Sequence, residues 1–239
     1  MADSGSSAGS TRNFSLQGYE VILMITAIFD LDGTLANTIQ DLADAVNYGL
    51  RELGFPVHTT ESYKQMVGNG APKLCCRALP DESKDMADEL YKLFCIRYGE
   101  HYLDNTRLYD GIADILEILS GAGVSLAIAT NKPQDAARKI VSALIPGVKF
   151  VRVLGGCAER PKKPDIAVIS EILDGFPENN RIYMIGDSSV DIQTAKNAGL
   201  ISIGCIWGFR GRQELEEAGA DFIAEKPQDI ADIILGQEV

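Results

Sequence analysis

The sequence predicts an α/β fold: a doubly wound parallel sheet, interrupted after its first strand by an inserted all-helical region. Three observations carry that prediction. Short continuous apolar runs, as buried central strands show, fall at residues 25–29, "VSLAIAT" (124–130), "RIYMIG" (181–186) and "LISIGCI" (200–206). From residue 109 onward these runs alternate with segments of helical spacing, which implies right-handed crossovers and helices on both faces of the sheet. Residues 39–105 hold helical patterns and no buried-strand candidate, so they stand outside the alternation.

Taken in order, residues 1–23 open with "MADSGSSAGSTRN", a small and polar stretch expected to be a disordered leader or an upstream extension. It lacks the apolar core of a signal peptide. The run "YEVILMITAIF" is shorter than the roughly 18 residues that suggest a membrane span. Strand 25–29 leads into "IFDLDGTL". Helical spacing follows at Ile39, Leu42, Ala45, Val46, Leu50 and Leu53, and "PDESKDMADELYKLF" predicts a helix start at Asp81. Helix "IADILEILSGAG", strand "VSLAIAT", helix "PQDAARKIVSAL" and strand "KFVRVLGG" come next. Helix "DIAVISEILDG", strand "RIYMIG", helix "VDIQTAKNAG" and strand "LISIGCI" continue the series, and 212–234 close it as helix, strand, helix. The expected division is a core of 24–38 and 106–239 with an insert of 39–105.

Composition narrows the function. A net charge of -12 over 239 residues argues against a nucleic-acid or anionic-membrane partner, since both need a basic surface. Cys75, Cys76, Cys95, Cys157 and Cys205 are odd in number and show no CxxC spacing. They read as reduced, mostly buried thiols, and the expected compartment is the reducing cytoplasm. His58 and His101 are the only histidines, too few for a His-ligated zinc site and a poor basis for a Ser-His-Asp triad.

In open α/β sheets, ligands bind beyond the carboxyl ends of the strands. The first strand ends at Asp30, with Asp32 and Thr34 behind it; "VSLAIAT" ends at Thr130-Asn131-Lys132; "IYMIG" ends at Asp187, with Ser188, Ser189 and Asp191 following. "PKKPD" brings Lys162 and Lys163 ahead of a helix. Each has a plainer reading alone: an Asp there commonly caps a helix, Thr130 is a turn residue, and either lysine is surface charge. Jointly they place four carboxylates, a hydroxyl and at least one lysine on one rim. Ionised carboxylates are costly to bury unpaired; a hard divalent cation, Mg²⁺ for this donor set, relieves their repulsion. The lysine and threonine would then meet an anionic substrate. No GxGxxG follows a strand, so a dinucleotide oxidoreductase is not expected.

"FDLDGTL", "IATN", "KKPD" and "GDSSVD" resemble, in order and spacing, the four motifs of the haloacid dehalogenase-like phosphohydrolase superfamily, over residue 24 to the end. "MVGNGAPKLCCRAL", "YDGIADIL", "TNKP" and "KKPD" look like segments of its phosphoglycolate phosphatase subfamily. Departures are Asn37 where many relatives have Asp, Ile166 where a second proline is usual, and Tyr109-Asp110 before the exit glycine. The resemblance implies a Rossmann-like core with a helical cap over the active site. It implies Asp30 as nucleophile forming an aspartyl-phosphate, and Asp32 as the acid and base that protonates the leaving alcohol and then activates water. It also implies that Thr130 and Lys163 bind phosphoryl oxygens. Asp30, the backbone carbonyl of Asp32, and Asp187 would hold Mg²⁺, supported by Asp191. Thr34 and Asn131 join the expected substrate contacts.

The expected function is Mg²⁺-dependent hydrolysis of a small phosphorylated metabolite, with 2-phosphoglycolate as first candidate and a monomer or homodimer as the working form. A sugar-phosphate phosphatase, a hexose-phosphate mutase and a pyrophosphatase are the alternatives within the superfamily. A non-catalytic phospho-acceptor domain is the alternative outside it, disfavoured by the insert and by Asp32. In the insert, "VGNGAPK" nominates Gly68, Asn69, Gly70 and Lys73 for substrate contacts, Lys73 toward a carboxylate. A helix-connecting turn with a surface lysine fits that composition equally well.

Overall fold

In the computed structural model, residues 15–16, 19–20, 24–177 and 180–236 are described. Within the expected leader, β1 (Ser15–Leu16) and β2 (Tyr19–Glu20) pair antiparallel. The rest of 1–23 lies outside the described residues.

The central sheet contains β3 (Met24–Phe29), β6 (Ser125–Pro133), β7 (Arg152–Gly156), β8 (Asn180–Gly186), β9 (Ile201–Cys205) and β10 (Phe222–Ala224). Their order across the sheet is β10-β9-β8-β3-β6-β7, and every pairing is parallel. Between β3 and β6 lie β4 (Ala36–Asn37), α1 (Ile39–Glu52), α2 (Thr60–Lys64), α3 (Ala71–Ala78), a 3-10 helix (Asp81–Met86), α4 (Ala87–His101), β5 (Arg107–Leu108) and α5 (Ile112–Gly121). Helices α6 (Gln134–Leu144), α7 (Ala167–Leu173), α8 (Ser189–Ala198), α9 (Arg212–Glu217) and α10 (Pro227–Leu235) complete the chain. Among the described residues, no helix is long and apolar enough to cross a membrane.

Alternation along the strands builds two apolar layers, because successive side chains leave a sheet on opposite faces. Ala27, Phe29, Leu126, Ile128, Tyr183 and Ile185 pack under α5, α6 and α10. Ile28, Ala127, Ala129 and Met184 pack under α7 and α8. Both faces are covered, which is why these strands read as unbroken apolar runs.

The helical insert has its own core. Leu42, Val46 and Leu50 of α1 meet Tyr63, Leu74, Cys75 and the α4 stripe Leu90, Phe94 and Tyr98, four residues apart and so on one helix face. The insert leaves and rejoins the sheet through two linkers that pair as β4 and β5, Ala36 opposite Leu108 and Asn37 opposite Arg107. Asp41 fastens them. Its buried carboxylate accepts from the Asn105 and Thr106 backbone N–H groups at 2.9 and 2.8 Å, and from their side chains at 2.9 and 2.7 Å.

Three expectations need correction. Asp81 opens a 3-10 helix after Pro80, and the α-helix starts at Ala87: none of residues 81–86 is buried, and Ser83 leaves helical geometry. Strand β6 does not stop at Thr130 but runs on to Pro133, which pairs with Gly156 after a register shift. Among the cysteines only Cys75 and Cys205 are buried, and Cys95 is exposed; all five are unpaired.

Candidate active site

The chain leaves β3 toward β6 on one side, and later returns to β8 on the other. The sheet's switch point, where open α/β sheets bind ligands, therefore lies between β3 and β8. Asp30 prolongs β3, donating its backbone N–H to the Ile185 carbonyl at 2.8 Å, while Asp187 follows the last residue of β8. Asp191 lies in the first turn of α8 and accepts from the Ser188 backbone N–H and hydroxyl, so it caps that helix while facing the site. Asp30, Asp187 and Asp191 are all buried, with one oxygen of each within 4.8 Å of the others.

Two contacts fix Asp187: the Phe209 N–H donates to it at 2.7 Å and the Thr34 hydroxyl at 3.4 Å. A side chain at Gly33 would run into its carboxylate, and Gly33 has a φ of 86°. The buried Lys163 ammonium donates to Asp191 at 2.6 Å and lies 3.2 Å from Asp30 Oδ1. That Oδ1 is buried and accepts no hydrogen bond.

Burial dominates the electrostatics. It pushes the Asp30 carboxyl up to about 6; Lys163 pulls it down, and Asp191 and Asp32 add to the rise. Asp187 is raised well above the ordinary carboxylate range by burial, then by Asp191 and Asp30. For Lys163 burial opposes the charge, but Asp191 and Asp30 outweigh it and hold the ammonium above its usual value. The donor set of three carboxylates, one with an oxygen that accepts no hydrogen bond, suits a hard divalent cation. The neighbouring Cys205 thiol is held neutral by burial, then by Asp187 and Asp191, so it offers no thiolate.

A second group of side chains stands apart from these three acids. Asp32 accepts from the Thr38 hydroxyl at 2.7 Å and from the Lys132 ammonium at 2.9 and 3.2 Å, and Lys132 also donates to the Tyr98 hydroxyl at 2.7 Å. The Asp32 side chain thus lies outside the three-acid group, which leaves only its backbone carbonyl for an ion.

Between sheet and insert lies a cavity with about 40 Å³ open to the centres of water molecules. Asp30, Asp32, Thr130, Lys132 and Asp187 line its floor, while Gly68, Gly70, Leu74, Phe94 and Tyr98 line its roof. Asn131 ties the two together: its amide donates to Gly68 O at 2.9 Å and to Lys163 O at 3.1 Å, and it accepts from the Lys163 N–H at 2.9 Å. Arg210 does the same on the other side, donating to Val67 O and to Gln65 Oε1 at 2.7 Å.

The remaining expected contacts separate. Gly68 and Gly70 line the cavity, whereas Asn69 and Lys73 line an outer groove with Lys162. Helical geometry explains this: α3 starts at Ala71, so Ala71 and Leu74 face inward and Pro72 and Lys73 outward. Asn69 is engaged by Arg77. Thr34 is fully buried against Asp187, so it braces that residue. Of the two adjacent lysines, Lys163 meets the carboxylates, while Lys162 reaches only Asn69 O, at 3.4 Å. Asn37 is exposed in the linker, His58 contacts Ala78 O, and His101 contacts Asp104; none of them lines the cavity. The sequence motifs assign no role to Lys132, Tyr98 or Arg210, all three of which line the cavity. The adjacency of Lys132 to Thr130 and Asn131 was the available signal for the first.

Comparison with known proteins agrees with this geometry. The family model described as haloacid dehalogenase-like hydrolase matches residues 27–205. A phosphoglycolate phosphatase of Vibrio parahaemolyticus is 33% identical over 214 residues, covering 86% of this chain and 94% of its own. One from Pseudomonas fluorescens is 36% identical over 200 residues, covering 80% of this chain and 73% of its own. Among solved structures, a haloacid dehalogenase-like family hydrolase from Streptococcus pneumoniae superposes with a TM-score of 0.77 at 29% identity, covering 87% and 98% of the two chains. The chain belongs to the haloacid dehalogenase-like hydrolase family.

Proposed function

We propose that this chain is a Mg²⁺-dependent phosphatase that hydrolyses a small phosphomonoester through an aspartyl-phosphate on Asp30, with 2-phosphoglycolate as the first candidate. The observation that carries the reading is the buried three-acid group of Asp30, Asp187 and Asp191, with the Lys163 ammonium 3.2 Å from Asp30 Oδ1 and with Asp30 and Asp187 lining the cavity beneath the insert. Relatives named phosphoglycolate phosphatase support the choice of substrate.

In this reading Asp30, Asp187 and the Asp32 backbone carbonyl would hold Mg²⁺, with Asp191 supporting the site. When bound, the ion would offset the charge of the acids and of the phosphate, which would let an anionic nucleophile approach an anionic ester. Asp30 attacks phosphorus; as that bond forms, the bond to the leaving oxygen breaks, and its electron pair takes a proton from Asp32. Asp32, now a carboxylate, removes a proton from water as water attacks phosphorus, and the Asp30–phosphorus bond breaks with its electron pair returning to Asp30. Thr130 and Lys163 bind the phosphoryl oxygens and stabilise the charge that builds there. The helical insert of residues 39–105 serves as the cap that excludes water and sets the leaving group through Gly68 and Gly70. Five unpaired cysteines fit a reducing compartment, the cytoplasm.

The test is catalytic efficiency over a panel of phosphomonoesters, sugar phosphates and pyrophosphate, with and without Mg²⁺. The expected result is Mg²⁺-dependent turnover with 2-phosphoglycolate at the top. A flat profile with 2-phosphoglycolate among the poor substrates contradicts the substrate, and phosphate release limited to one equivalent contradicts the enzyme.

A further inference from the structure

We propose that Lys132 is a positioning residue for Asp32, and that Tyr98 makes its grip depend on closure of the helical insert. The inference rests on the phosphatase reading above. Lys132 is 4% exposed, and its three ammonium hydrogens face three acceptors: both Asp32 oxygens and the Tyr98 hydroxyl. Its nearest acceptors are thus Asp32 and Tyr98, so its action falls on Asp32.

The geometry at Asp32 is asymmetric. Oδ1 accepts from both Thr38, at 2.7 Å, and Lys132, at 2.9 Å, while Oδ2 has only the 3.2 Å contact to Lys132. Oδ2 is therefore the oxygen left to face a leaving group. A proton donor works only within hydrogen-bond reach and in a fixed orientation, and Lys132 with Thr38 supplies that orientation.

The third acceptor comes from the other side of the cavity. Tyr98 belongs to α4 of the insert and is seated by stacking on Phe94, centroids 5.1 Å apart and planes 12° from parallel. Its ring also lies 4.8 Å from the Lys132 ammonium, a cation–π contact. Lifting the insert takes both contacts from Lys132 and admits water to it. Closure thus completes the coordination of the residue that aims Asp32.

Leaving-group dependence tests this. Ethyl phosphate needs a proton on its departing alkoxide; p-nitrophenyl phosphate does not. The ratio kcat/KM reports phosphoryl transfer to Asp30 before the intermediate is hydrolysed. In Lys132→Met, the loss with ethyl phosphate is expected to exceed the loss with p-nitrophenyl phosphate by about 30-fold or more, within the ~10²–10⁴-fold of general acid catalysis. Tyr98→Phe keeps the ring, and is expected to show the same bias at about 3- to 10-fold. Should Lys132→Met fail to fold, Tyr98→Phe decides alone. Equal losses with the two substrates mean a merely structural role and overturn the proposal. A wild-type protein that releases phosphate from neither ester nor from 2-phosphoglycolate contradicts the phosphatase reading, and the role of Lys132 with it.

Discussion

Asp30 and Asp32 stand one residue apart in the sequence, yet the turn at Gly33 sends them into different groups of side chains. Asp30 joins Asp187, Asp191 and Lys163; Asp32 joins Lys132, Thr38 and Tyr98. Opposite outcomes follow for two substitutions in the first group. Asp30→Asn is expected to lower turnover by at least about 10³-fold. Without metal at neutral pH it should nevertheless raise the melting temperature, since it removes an acid whose charge burial disfavours. Lys163→Met is expected to cost about 3–5 kcal/mol in denaturant unfolding, because it leaves Asp191 and Asp30 buried without their cation. The three acids were legible in the sequence because each follows a recognisable strand end. Lys132 was legible as a strand-exit residue but not as the partner of Asp32, because the strand carrying it continues past Thr130 through a register shift that apolar pattern does not record. Arg210 lies on the connection after β9, and its partners Gln65 and Val67 are more than 140 residues away in sequence, which local pattern cannot reveal.

Among the elements, the pair β4 and β5 decides how the insert sits. Two strands of two residues each bring little stability alone, so the four hydrogen bonds gathered by Asp41 matter. In the sequence Asp41 reads as an acid in the first turn of a helix, favourable to the helix dipole and otherwise ordinary. Its partners Asn105 and Thr106 lie 64 and 65 residues on. Asp41→Ala leaves the buried Thr106 N–H and hydroxyl unsatisfied, and is expected to cost about 2–4 kcal/mol. Limited proteolysis should then cut near residues 37 and 105 faster than in the wild type. The parallel strands and their helices were legible because both faces of the sheet are buried. The 3-10 helix before α4 was not, because five polar residues and Met86, none of them buried, carry no periodicity to read.

For the molecule as a whole, the acids raised by burial link stability to pH and metal. Asp30 has its folded value raised from 3.8 to about 6, and Asp187 is also raised well above 3.8. Between about pH 4 and 6 the folded metal-free chain therefore binds more protons than the unfolded one, and its stability falls as pH rises. A bound cation removes that cost by stabilising the charged forms. Mg²⁺ is accordingly expected to raise the melting temperature more at about pH 7.5 than at about pH 5, read by calorimetry at the two values. An equal shift at both would detach the metal from these carboxylates.

The central claim is that phosphate passes through Asp30, and Asp32→Asn exposes it most directly. With p-nitrophenyl phosphate the first transfer needs no proton donor, while hydrolysis of the intermediate still needs a base. Rapid acid quench of this variant with radiolabelled substrate should give a burst of p-nitrophenol of about one equivalent per chain, with label on the peptide that carries Asp30. Label on another residue, or free phosphate rising with p-nitrophenol and no burst, would contradict the account.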